Sequence, residues 1–209
     1  MILLAACNSS DTKENKSDST STTASSSEVK KEEAWVPVDS ATMMKAMMDN
    51  GTLGKMHEMM ASWNGTWANE TTMWDYDGAA PKKSAATSVN TMLMGNRYQS
   101  SKFSGNMMGM PFEGMSTLGY DNATKQFVNT WIDSWSTGIM TMTGPWNESA
   151  KTITLSGTMP DICRPGKECS FREIMTIVDG NTQMMEMYGP DPKTGKEYKM
   201  MEIKSTRKK

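Results

Sequence analysis

The sequence is poor in the residues that carry most acid–base and nucleophilic chemistry. It has one histidine, His57, and three cysteines. It has no nucleophile elbow, no metalloprotease motif and no phosphate-cradling glycine turn between a strand and a helix. These absences argue against hydrolases and nucleotide-binding enzymes, and the expectation is a protein without catalytic activity. No run reaches the 18 or so consecutive apolar residues that a membrane-spanning helix needs. Basic charge is not in excess either. Lys and Arg number 22 against 24 Asp and Glu, a net charge of −2, so the electrostatic footprint of a nucleic-acid binder is missing.

Apolar residues make up only 37% of the chain, and the deficit is local. Residues 8–33 hold no aromatic and a single β-branched aliphatic, Val29. Such a segment buries too little apolar surface to offset its chain entropy, which predicts disorder. The remainder is long enough for one sizeable core. Just before this segment, Leu4-Ala5-Ala6-Cys7 resembles the lipobox of bacterial lipoproteins. That resemblance implies lipidation at Cys7, a membrane partner through the lipid, and residence in the cell envelope, with Asn8 favouring the outer membrane. Only six uncharged residues precede Cys7, short of a complete signal peptide. The expectation is therefore a start upstream or a truncated chain. The resulting division is 1–7 lipobox, 8–34 tether, 35–62 a Met-rich helical segment and 63–209 a folded domain.

Cys163 and Cys169 flank Arg-Pro-Gly-Lys-Glu, a turn-like insert between two strand-like runs. A structural disulfide across the base of this loop is expected, with free thiols as the alternative. Zinc would need further Cys or His ligands nearby, and there are none.

Asp39 or Ser40 is suited to cap a helix over about 40–49, stopped by Asn50-Gly51. A second helical turn covers 55–61. From Trp63 onward the chain reads as strands separated by polar turns. They fall near 64–76, 84–94, 97–105, 112–120, 126–134, 137–146, 151–159, 169–178, 182–188 and 196–206. Short connections demand antiparallel neighbours, and that many strands close more easily into a barrel than into a sheet with open edges. Tyr120-Asp121-Asn122-Ala123-Thr124-Lys125 and Trp146-Asn147-Glu148-Ser149-Ala150-Lys151 form a loose repeat of one turn. Val178-Asp179-Gly180-Asn181 reads as a tight hairpin with glycine at positive φ. The glycines of 105–114 read as turn and bulge positions.

Asn106-Met107-Met108-Gly109-Met110-Pro111-Phe112-Glu113-Gly114 and Leu118-Gly119-Tyr120-Asp121-Asn122 carry a family resemblance. Thr130-Trp131-Ile132-Asp133, Glu186-Met187-Tyr188-Gly189-Pro190 and Lys199-Met200-Met201-Glu202-Ile203 extend it. In that order they resemble the bacterial family called domain of unknown function 1579, over roughly residues 55–207. The resemblance implies an all-β fold, a single antiparallel lipocalin-like β-barrel of about 8–10 strands with an N-terminal helix, and no activity. Trp63-Asn64-Gly65-Thr66-Trp67 resembles the first strand of such barrels, where a Trp plugs the closed end.

In Phe127-Val128-Asn129-Thr130-Trp131-Ile132-Asp133 neither alternate face is cleanly apolar. This mixture fits a partly polar cavity, with the outside covered by the helix or a partner. The candidate ligand-binding residues are Trp67, Arg97, Tyr98, Trp131, Asp133 and Tyr188. Arg97 would pair with an anionic group, and Trp131 and Tyr188 would form apolar walls. The expected function is non-catalytic binding of a small apolar or anionic molecule, with a ligand-free interaction module as one alternative.

Methionine is abundant, 24 residues. Seven lie between 43 and 60 around the single histidine. Met43, Met44, Met47, Met48, Met56, His57, Met59 and Met60 suggest a second alternative, a Cu(I) or Ag(I) site built from thioethers. An adaptable apolar helix face explains the same spacing, and His57 alternatively caps the barrel or binds a backbone group.

Overall fold

The computed structural model of the protein describes residues 34–209. Cys7 and the segment 8–33 lie outside the described residues. Two helices, α1 (Ser40–Gly51) and α2 (Lys55–Ser62), precede eleven strands. These are β1 (Gly65–Met73), β2 (Lys82–Leu93), β3 (Tyr98–Met107), β4 (Met110–Asp121), β5 (Gln126–Asp133) and β6 (Met140–Gly144). They continue as β7 (Trp146–Asn147), β8 (Thr152–Pro160), β9 (Glu168–Asp179), β10 (Thr182–Pro190) and β11 (Glu197–Arg207).

Every pairing is antiparallel, in the order β6-β5-β4-β3-β2-β1-β11-β10-β9-β8-β7. Ten strands make a closed up-and-down barrel, and the two-residue β7 borders β8. Two junctions close it. The first and last strands pair over a continuous register from Trp67↔Arg207 to Met73↔Met201. At the other junction β6 meets β8 through one bridge, Thr143↔Ser156. That seam depends on two missing side chains. A Cβ on Gly144 would lie 1.8 Å from the Thr154 carbonyl oxygen, and one on Gly157 would lie 2.3 Å from that of Thr141.

The turns follow local chemistry. The Asp121 carboxylate accepts the Ala123 N–H at 2.8 Å, and Asn147 Oδ1 accepts that of Ala150 at 3.1 Å. Lys125 and Lys151 then take positive φ, 58° and 52°, so the sequence repeat is a structural one. Between β3 and β4, Met108 and Gly109 both have positive φ, the requirement of a two-residue hairpin loop matched to strand twist. Gly105 and Gly114 lie inside strands instead of at turns or bulges. A Cβ on Gly114 would meet the Trp131 ring at 2.4 Å, so this glycine makes room for an aromatic. Gly180 differs from the sequence expectation too: its φ is not positive. The Asp179 carboxylate forms that turn by accepting the Asn181 N–H at 2.7 Å.

Asp39 caps α1, its carboxylate accepting both the backbone N–H and the hydroxyl of Thr42. No residue of α1 is buried. The helix is tied at its C-terminal end, where the carbonyls of Asn50, Gly51 and Thr52 accept bonds from Asn122 and Arg97. It does not coat the outside of the barrel as the strand patterns had suggested. α2 behaves differently and closes one end. Met60 is fully buried in one core cluster with Trp63, Trp67, Leu118, Phe127, Met142, Ile153, Leu155 and Met187. Burial of each such side chain contributes roughly 1.5–3 kcal/mol. Polar bonds fix the lid: the Gln99 amide donates to the Met60 carbonyl at 2.6 Å, and the Trp67 indole to that of Trp63 at 2.9 Å. Arg207 reaches from the last strand to the carbonyls of Ser62 and Asn64, its guanidinium over the Trp67 ring.

Candidate functional site

Above this floor the barrel encloses a cavity of about 310 Å³, at the small end of ligand-pocket sizes. The wall is built from one alternate phase of each strand, since successive side chains of a strand point to opposite faces. On β5 the inward phase is Phe127, Asn129, Trp131 and Asp133, which decides the face that the sequence pattern left open. Trp67 forms the floor, Phe103, Met175, Met185 and Met201 the apolar walls, and Trp135, 42% exposed, stands toward the other end.

The polar groups on this wall divide into satisfied and unsatisfied ones. Asn69 bridges Ser88 at 3.0 Å and Ser205 at 2.7 Å, joining β1 to both neighbours. Asp133 accepts the Trp131 indole N–H at 2.8 Å and the Trp135 backbone N–H at 2.9 Å, fixing the Trp131 ring and the backbone of Trp135. By contrast, Asn129 Oδ1 and Gln183 Nε2 are buried with no hydrogen-bond partner among the described residues. Glu173 on β9 is 6% exposed. Its cross-strand neighbours are Leu155 and Met187. Burial among such groups disfavours the charged form and pushes its carboxyl up to about 7.

Three of the six residues expected to bind ligand, Trp67, Trp131 and Asp133, line the cavity. The other three do not. Arg97 is exposed and donates to the carbonyls of Gly51, Met94 and Gly95, outside the barrel. Tyr98 lies one residue out of phase with the inward Gln99, and its ring covers Gly119. Tyr188 is out of phase with inward Met187, where the Arg172 guanidinium stacks on it at 4.0 Å and binds Glu197. The expected anion-binding cation is thus absent from the wall. Glu173, Asn129 and Gln183 were missed. One signal was available for Glu173: it shares the β9 phase of Phe171, Met175 and Ile177, an acid within an otherwise apolar alternation.

The thioethers of residues 43–60 do not converge. Met43, Met44, Met47 and Met48 are 54–67% exposed on α1, whereas Met60 is fully buried under the lid. His57 is buried on α2, its Nδ1 accepting the Gly54 N–H at 3.1 Å and its ring edge-on to Tyr120. Among the described residues no group of three or more His, Cys, Asp or Glu is placed to hold a metal ion. Cys163 and Cys169 are free thiols, not the expected disulfide. The Asp161 carboxylate gathers this loop by accepting the N–H groups of Cys163 and Arg164. Burial, and then the hydrogen bond to Asp161, pushes the Cys169 thiol up. Among the described residues no helix is long and apolar enough to cross a membrane.

The family described as "Protein of unknown function (DUF1579)" matches residues 52–207. The chain belongs to this family. The DUF1579 match begins ahead of α2, so Met56, Met59 and Met60 fall inside it, and of the 43–60 cluster the α1 methionines alone precede it. Among solved structures, the DUF1579 chain resembles one titled "Crystal Structure of Rv2717c from M. tuberculosis". The TM-score is 0.52 at 11% identity, covering 76% of this chain and 100% of that one. At that identity the likeness concerns the fold alone. No curated protein matches the sequence.

Proposed function

We propose that this DUF1579 protein is a non-catalytic carrier, tethered to the cell envelope through Cys7, that binds a small, partly apolar molecule inside its barrel. One observation carries the binding reading. The cavity is walled by aromatic and thioether groups, yet its lining residues include Asn129 and Gln183, whose Oδ1 and Nε2 atoms are buried with no partner among the described residues. An unpaired buried polar group costs about 1–3 kcal/mol, and a ligand offering the matching donor and acceptor removes that cost. The non-catalytic reading is supported by His57, which is committed to the α2 cap and does not line the cavity. The envelope reading is supported by Leu4-Ala5-Ala6-Cys7 and the polar segment behind it.

The test is native mass spectrometry of the full chain extracted in detergent from bacterial membranes, beside the variants Cys7→Ala and Ser101→Phe. The expected results are an organic adduct of a few hundred daltons on the wild type and on Cys7→Ala. The adduct should be lost from Ser101→Phe, whose ring fills the cavity. Cys7→Ala should move the protein out of the membrane fraction. An adduct retained by a folded Ser101→Phe overturns the carrier, and membrane association retained by Cys7→Ala overturns the anchor.

The soft-metal reading narrows to Met43, Met44, Met47 and Met48, four thioethers exposed along one helix. Cu(I) uptake by the wild type and its loss on changing these four to Leu would support that reading.

A further inference from the structure

The cavity wall carries charge of one sign only. Among the described residues that line it, Asp133 and Glu173 are the ionisable ones, and no Lys, Arg or His is present. Nearby cations are engaged elsewhere: Lys199 lies between Glu202 at 2.6 Å and Glu186 at 2.9 Å, and Arg172 binds Glu197. The two acids are not equivalent. Asp133 has both oxygens occupied by the Trp131 and Trp135 N–H groups and acts as a brace for the aromatic wall. Glu173 is more than nine-tenths buried, lines the cavity, and has no hydrogen bond or ion pair with another side chain among the described residues. Unpartnered Asn129 Oδ1 is a second acceptor on the same wall.

Resting on the carrier reading above, we propose that the cargo is a cationic amphiphile, a small apolar or aromatic body bearing a basic nitrogen whose N–H groups bind Glu173 and Asn129 Oδ1. The desolvation of Glu173 is already incurred in the folded protein. An incoming ammonium therefore gains a charge-assisted hydrogen bond in a site of low dielectric without burying the carboxylate anew. An anionic ligand would meet two acids and no cation, so carboxylates such as fatty acids are disfavoured. Apolar walls exclude small hydrated cations, which would find too few oxygens to replace their water.

The experiment titrates the full-length protein with three compounds sharing one skeleton: phenylbutylamine, phenylbutanol and phenylbutyrate. Binding is read from the change in tryptophan emission, since three of the seven tryptophans, Trp67, Trp131 and Trp135, line the cavity. In the wild type the amine is expected to bind at least about tenfold more tightly than the alcohol, with the carboxylate weakest. Glu173→Gln should bring amine and alcohol within about twofold of each other. Equal affinities, or preference for the alcohol or carboxylate, overturn the cationic cargo and leave the carrier standing. An amine preference that persists in Glu173→Gln overturns the assignment to this side chain. If none of the three binds and no adduct is found by mass spectrometry, both readings fall together. Should Glu173→Gln not fold, the wild-type series decides the class of cargo by itself.

Discussion

Glu173 costs the folded protein stability in a pH-dependent way. Its carboxyl titrates near 4.5 when free and near 7 when buried in the barrel. Between those values the folded state binds more protons than the unfolded chain, so stability falls as pH rises through this window and levels off above it. This is opposite in sign to Asp191. There the Asp77 N–H, aided by those of Lys193 and Thr194, holds the carboxyl below the usual range, and its contribution is lost only in acid. Glu173→Gln is expected to flatten the decline between about pH 5 and pH 7. At pH 8 it should gain stability, on the order of 3 kcal/mol at most. Urea unfolding of wild type and variant across this range checks the difference. Parallel curves would show that Glu173 is solvated and charged throughout.

At the scale of elements, the strands were legible because their boundaries are written in turn chemistry. Asp121, Asn147, Asp179 and Asp191 each accept backbone N–H groups where a strand ends. Gly109 and Gly195 supply positive φ. The inward face was harder to read. Polar Asn129 and Asp133 point inward while Val128 and Ile132 point out, so alternation alone does not orient β5. Tyr98 and Tyr188 each lie one residue out of phase with an inward side chain, and a shift of one residue along a strand moves a side chain through the wall; Arg97 lies in the turn before β3. The seam between β6 and β8 was not legible at all. Gly144 and Gly157 look like ordinary strand glycines until the two strands cross. Gly144→Ala is expected to destabilise the barrel by about 1–3 kcal/mol through forced backbone separation. Thermal unfolding checks this. A loss under about 0.5 kcal/mol, the range typical of surface changes, would show that the seam tolerates a methyl group.

For the whole molecule, the order of strands in the barrel follows the order of the chain, except where β1 joins β11. Nearly all pairings are local hairpins, but the closing one links residues such as Asn69 and Ser205, 136 positions apart. Contacts of such separation form late, because the intervening loop must first be ordered. Deleting residues 197–209 is expected to leave β1 and β10 with unpaired edges and to make the chain aggregate. Size-exclusion chromatography reads the result, and a truncated chain that elutes as the full one does would show that the ring is dispensable. The closing strand also supplies Met201, Ile203 and Ser205 to the cavity wall and Arg207 to the lid. During synthesis, a chain in this order emerges from the ribosome as an open ribbon with no interior. The compartment exists only once β11 has been made and has paired with β1, so anything it carries is loaded after that strand is in place.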